Sequence, residues 1–255
     1  MRASRWLSTF PTLGDHKLKV GFARSELYAG EPEELAEALN LLCVAAEGGD
    51  PLAREILGAF APLAVDVEHL RQLDAIRAAA IGASFLATAR FLRATTPEGH
   101  FLDRKEIAPG AVMERDDGSP LTLGERRALA RRPTRTNIDR LMRDPHPMVA
   151  KILLQNPRIT QDDIVRMAAF RPANPQVVVE IAKAWSHHAR IRRTIILNPG
   201  TPPAVSVPLL PLLVRPELAE VKLARDLPAV VRATAGELWE LRPPMAPHEP
   251  PALPH

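Results

Sequence analysis

Three features of the sequence predict an all-α chain whose second half is a short helical repeat array. First, Leu154-Gln155-Asn156-Pro157-Arg158-Ile159-Thr160 returns as Ile196-Leu197-Asn198-Pro199-Gly200-Thr201, with 42 residues between the two prolines. Second, apolar residues recur at three- and four-residue spacing, as one buried helix face requires. Third, short apolar stretches are repeatedly opened by Pro, Asp, Asn or Thr, the residues that start helices. Pro is 26 of 255 residues, about twice the usual ~5%, and it falls at regular places, so it reads as punctuation.

Residues 1–30 show no sustained period. Leu18, Val20 and Phe22 alternate, so this stretch is expected to be an N-terminal arm, extended or with a short strand, and partly disordered up to Gly14.

Residues 31–94 read as a bundle of three or four helices. Glu31-Pro32-Glu33-Glu34 puts Pro and acids in a first turn. Leu35, Leu39, Leu42 and Ala46 then share a face, and Gly48-Gly49 ends it. Asp50-Pro51 restarts a helix with the stripe Leu52, Ile56, Leu57, Phe60. Asp66 is expected to cap a third segment carrying Leu70, Leu73, Ile76, Ala80 and Ile81, extended by Phe85, Leu86, Phe91 and Leu92.

Residues 95–121, with Pro97, Gly99, Pro109 and Gly110, read as a linker between domains, with a short hairpin across Phe101 to Val112. A loop this long is uncommon within one compact domain.

Residues 122–241 open on Thr122-Leu123-Gly124-Glu125, the pattern of a capping box. Ile138, Val178 and Leu218 then recur every 40 residues. Three helices in 40–42 residues form a unit that cannot bury its apolar stripes alone, so neighbouring triplets are expected to stack. Trp185 is expected between triplets, and Trp239 to close the open end. Residues 242–255, six of them proline, read as a disordered tail.

This second half resembles armadillo/HEAT-type helical repeats of the leucine-rich-repeat-variant kind. The resemblance rests on Asp144-Pro145-His146-Pro147-Met148-Val149, Leu154-Gln155-Asn156-Pro157, Asn198-Pro199-Gly200-Thr201-Pro202 and Asp226-Leu227-Pro228. With Leu121-Thr122-Leu123-Gly124-Glu125-Arg126-Arg127 ahead of the repeats, it also resembles a group of uncharacterised bacterial proteins. The resemblance implies an armadillo/HEAT-like α-solenoid and a scaffold that binds proteins, or in some cases nucleic acid.

Charge is the most informative chemical feature. Residues 122–199 hold 15 Lys or Arg against 6 Asp or Glu, while residues 1–121 hold 13 against 18. A basic array behind an acidic front suits an acidic or extended segment of another protein. The expected contacts are Arg131, Arg132, Arg135, Lys151, Arg158, Arg190, Arg192, Arg193 and Arg232, with Lys151, Arg193 and Arg232 stacked in a ladder. The alternative is sequence-independent binding of duplex nucleic acid through phosphates. Single-strand readers need aromatic platforms, and only Phe170 and Trp185 qualify in the basic region. A third reading is an enzyme with a site where bundle and array meet.

Other chemistries find little support. There is no phosphate-binding glycine loop, no HExxH and no cysteine pair, so no catalytic, cofactor or metal residues are expected. His187-His188 point about 100° apart on a helix and chelate poorly. Asp162-Asp163 are the acids of a helix first turn. Cys43, the single cysteine, reads as a small core residue. Neither a signal peptide nor a membrane-length apolar run is evident, which favours a cytoplasmic protein.

Overall fold

The computed structural model describes residues 2–95 and 112–243. Among these the chain is all-helical, and its β structure is one isolated bridge between Glu114 and Pro120. The hairpin across 101–112, most of the linker and the tail beyond 243 lie outside the described residues.

In place of an arm with a strand, the first residues form two helices, α1 (Arg2–Thr9) and α2 (His16–Ala29). Asp15 caps α2 by accepting from the amides of Lys17 and Leu18. Trp6 and Phe10 are fully buried. Trp6 lies 4.9 Å from Phe60, and Phe10 meets Phe22 edge-on at 5.4 Å. Burying such rings is worth about 1.5–3 kcal/mol each, which holds these helices down. The Trp6 indole N–H donates to Glu26 at 2.8 Å, and Arg2 and Arg5 pair with the same carboxylate.

Helices α3 (Pro32–Gly48) and α4 (Pro51–Phe60) follow the expected signals. Gly49 ends α3 in the left-handed region at φ 106°, a conformation that favours glycine, and the Asp50 side chain accepts from Ala53 at 2.6 Å. Asp66 departs from expectation. A 3-10 turn (Val67–His69) precedes α5 (Leu70–Gly82), and the Asp66 carboxylate pairs with Arg24 and Lys183 rather than capping. Ser84, at φ 60°, separates α5 from α6 (Leu86–Phe91), so Ile81 and Leu86 are exposed rather than part of one stripe. Helix α3 is the hub of this front region, packing on α1, α4, α5 and α6.

The second half holds nine helices among the described residues: α7 (Leu123–Arg131), α8 (Arg135–Leu141), α9 (Pro147–Leu154), α10 (Gln161–Ala169), α11 (Pro175–Trp185), α12 (Ala189–Ile196), α13 (Pro203–Leu209), α14 (Arg215–Leu223) and α15 (Ala229–Leu241). Capping boxes at Thr122/Glu125 and Thr160/Asp163 start α7 and α10. Thr201 does not cap; its hydroxyl donates to the Ile195 carbonyl at 2.7 Å. Pro208 lies in the last turn of α13, and a 3-10 turn (Leu210–Leu212) containing Pro211 follows.

From α7 to α12 the principal contacts run from a helix to the second one on: α9 packs against both α7 and α11, and α10 against α12. At the end of the chain α14 and α15, neighbours in sequence, pack on each other. In the α7–α12 stretch neighbours in space are thus two helices apart, whereas the sequence motif returns after three. Front and second half share one apolar core. The buried turn Ala61–Val65 lies on α11 and α13, the turn Leu210–Leu212 lies on α3 and α4, and α15 touches α3. Buried Arg242 ties them further, donating to the carbonyls of Ala46, Pro211 and Leu213 at 2.7–3.1 Å. Cys43 lies fully in this core, where burial pushes its thiol pKa up.

Candidate interaction surface

The Asn-Pro motif is a bracket. The buried Asn156 amide donates to the carbonyls of Ala130 and Arg131 at 3.2 and 2.9 Å, while its oxygen accepts from the Arg158 amide. Asn198 repeats this with Ala168 and Phe170 at 2.8 and 3.0 Å, accepting from Gly200. Asn174 does the same once, donating to Pro145 at 2.7 Å. The brackets at Asn156 and Asn198 satisfy carbonyls at helix ends, which lack partners within their own helix, and all three fix one turn against another. The bracket at Asn198 demands a close approach. A Cβ on Gly200 would stand 2.7 Å from that of Ala173.

These brackets sort the predicted arginines into two states. Many are paired along α8, α10, α12 and α14. Arg135 grips Asp163 through two nitrogens at 2.7 and 2.5 Å, and Arg166 joins the same carboxylate at 2.6 Å while reaching Asp139 at 3.1 Å. Asp163 is buried. The Arg135 guanidinium, with Thr160 and Arg166, holds its carboxyl far below the usual range. Arg190 pairs with Asp162 at 2.5 Å, and Arg193 grips Glu220 through two bonds of 2.9 Å. The pairs that join two helices lie 27–28 positions apart, the offset of two helices. Arg192 is turned inward to the carbonyl of Ser186 at 3.1 Å, and Arg232 donates to Leu227 at 3.1 Å. Of the expected ladder, Arg193 is paired with Glu220, Arg232 donates to a backbone carbonyl, and Lys151 stands exposed.

The other state is a rim where the α7–α8 turn meets the α9–α10 turn. The Asn156 bracket and the Arg158 bond to the Pro133 carbonyl, 3.0 Å, hold these turns side by side. Arg131 and Arg132 are exposed on the first turn and Arg158 on the second, with exposed Lys151 toward the end of α9. Among the described residues, none of these four has a carboxylate partner.

Two arginines escaped the sequence reading. At the α8–α9 and α10–α11 turns, the Arg143 guanidinium lies 4.5 Å over the ring of Phe170, and Arg171 is exposed beside it. Both border a groove of ≈ 180 Å³ whose wall includes Met142, Pro145 and Asn174. Behind the groove, Arg126 meets Asp144 at 2.6 Å to both carboxylate oxygens, both residues buried, and Asp144 also accepts from the His146 amide. The sequence signal for this site was Phe170, one of the few aromatics in the basic region, beside Arg171.

His187 and His188 join His16 in a stack. The rings of His16 and His187 are 4.0 Å apart, as are those of His187 and His188, and Trp185 flanks His188 at 5.1 Å. Trp185 also donates to the Leu154 carbonyl at 3.1 Å. Burial, then the other two histidines and Arg192, bring His187 down to about 3. Among the described residues no three His, Cys, Asp or Glu side chains are grouped to hold a metal ion. No described helix is long and apolar enough to cross a membrane.

Compared with known proteins, the chain matches no family model, no curated protein and no solved structure at a significant level.

Proposed function

We propose that the chain is a non-enzymatic helical adaptor that binds an acidic, extended segment of another protein. In this reading residues 122–241 are a short α-solenoid of armadillo/HEAT type, built as two rows of helices and closed at its end by Trp239 beneath Arg215 and Lys222, each 4.4 Å from its ring. The observation that carries the proposal is the rim. Arg131, Arg132 and Arg158 are gathered by a buried asparagine, exposed and, among the described residues, without carboxylate partners. Such cations are available to outside carboxylates without first breaking an internal pair.

Two features weigh against the other readings. Duplex binding through phosphates calls for many free cations along a surface, whereas Arg135, Arg166, Arg190 and Arg193 are already neutralised. An enzyme site where front and second half meet calls for polar groups converging on an open cleft; Ala61–Val65 and Leu210–Leu212 pack apolar contacts into that junction, and polar groups that cross it are stacked or paired with one another, as in His16 with His187 and Arg90 and Arg93 with Glu237.

Affinity purification with mass spectrometry, comparing wild type with an Arg131→Glu/Arg132→Glu/Arg158→Glu protein, tests the reading. The expected result is specific partners that the variant no longer captures. Identical partner sets would contradict it. In parallel, duplex DNA that shifts in a gel at low salt, with affinity falling steeply as salt rises, would favour the phosphate reading.

A further inference from the structure

The groove at the opposite end of α8 from the rim combines features that suit one kind of occupant. Its floor is apolar, with Met142 buried and Phe170 half-buried. Its edge carries two exposed cations. Arg143 has no carboxylate partner among the described residues and rests on the Phe170 ring. Arg171 donates to the Leu197 carbonyl at 3.2 Å and lies 3.5 Å from Asp226, an exposed contact that water screens. The acids nearby are otherwise committed. Asp144 is held by Arg126, and Asp139 by Arg166 and Arg135. The groove continues past the Arg143–Phe170 stack toward Asp139 and Arg166. It is therefore elongated.

Size narrows the choice. The groove's more enclosed part, ≈ 180 Å³, is smaller than the ~300–1,000 Å³ of small-molecule sites and suits one inserted side chain, while the more open continuation adds ≈ 520 Å³ along which an extended segment can lie. Rigidity favours capture. Asn174 ties its wall to Pro145, Asn198 holds the Phe170 carbonyl, and the buried Arg126–Asp144 pair backs the Arg143 turn. A wall fixed before binding loses little freedom on binding.

From this geometry we infer that the groove takes one apolar side chain of an acidic, extended peptide segment of a partner protein, whose flanking carboxylates pair with Arg143 and Arg171. The inference rests on the adaptor reading and names a second contact for it, at the other end of α8 from the rim. The Arg143 and Arg171 contacts give charge-assisted recognition, and the apolar floor makes it selective for which acidic segment binds.

Fluorescence anisotropy with the full chain tests it. The probes are a labelled peptide of Glu and Asp around one central Leu, the same peptide with Ala for Leu, and a labelled DNA duplex. The proteins are wild type, Arg143→Gln/Arg171→Gln, and Arg131→Gln/Arg132→Gln, all exposed substitutions. The expected result is that the groove variant binds the Leu peptide roughly tenfold more weakly, and that wild type prefers Leu over Ala. Equal binding of the Leu and Ala peptides by wild type would overturn the groove inference. So would an unchanged affinity of the groove variant; if the rim variant then still weakens binding, the adaptor reading stands alone. No binding of either peptide by wild type would overturn both, and tighter binding of the duplex, lost in the groove variant, would reassign the groove to phosphates.

Discussion

Arg193 and Arg131 are the same side chain in different circumstances. Arg193 belongs to the face spanning α8, α10, α12 and α14, where guanidinium and carboxylate meet across every second helix. Arg131 belongs to the edge where two bracketed turns leave cations facing water. The 15 basic residues between positions 122 and 199 are thus not one surface. Charge already spent on an internal partner aligns helices, and only the remainder is free for a second molecule. The difference comes from where the acids sit: Asp162, Asp163 and Glu220 lie in the paired helices, and among the described residues no carboxylate pairs with the rim.

The largest expected effect lies in what holds the free cations in place. Arg126→Ala should destabilise the protein by about 3–5 kcal/mol in denaturant unfolding, because it leaves Asp144 buried and uncompensated. A loss below ~1 kcal/mol would mean that the pair is not a support for the Arg143 turn. Next comes the bracket. Asn198→Ala removes two bonds to helix-end carbonyls, for an expected loss of about 1–3 kcal/mol. The same unfolding experiment checks it, and an unchanged midpoint would show that water replaces the amide without cost.

The brackets also show how far the sequence could be read. Helix starts at Asp50 and Thr122 were legible because caps act within three residues. The motif at Asn156 and Asn198 was visible as a repeat, but its role was not, since its partners lie 25–30 residues away. The 40–42-residue recurrence suggested stacked triplets, and it did not show that from α7 to α12 the principal contacts run to the second helix on. Arg135 and Asp163, 28 apart, could not be matched without that offset. Helices α1 and α2 went unrecognised for a related reason. Their apolar residues are sparse, and Trp6 is buried by Phe60, more than fifty positions on.

A smaller effect is expected with pH. The stacked histidines are held below the free-histidine value near 6.5, chiefly by burial, and His187 to about 3. Between these values the unfolded chain binds protons that the folded chain does not. Stability is therefore full above about pH 6.5 and falls as pH drops toward 3. Asp15 and Glu55 near His16 oppose this trend, and Lys19 and Arg192 reinforce it. Melting at pH 7.5 and pH 5 should show a drop that His187→Phe reduces. An equal drop in both proteins would place the sensitivity elsewhere.

The smallest effect is expected on the paired face. Arg193→Ala should cost at most ~1 kcal/mol, since exposed pairs contribute little. A larger loss would make that face a structural necessity rather than an alignment aid.

The contrast between the two sets of arginines is tested most directly by titrating the labelled acidic peptide, at one salt concentration, against two proteins of equal net charge. One carries Arg131→Glu and Arg132→Glu, the other Arg190→Glu and Arg193→Glu. The account predicts that the first loses binding and the second stays near wild type. Equal losses, or a loss confined to the second, would contradict it.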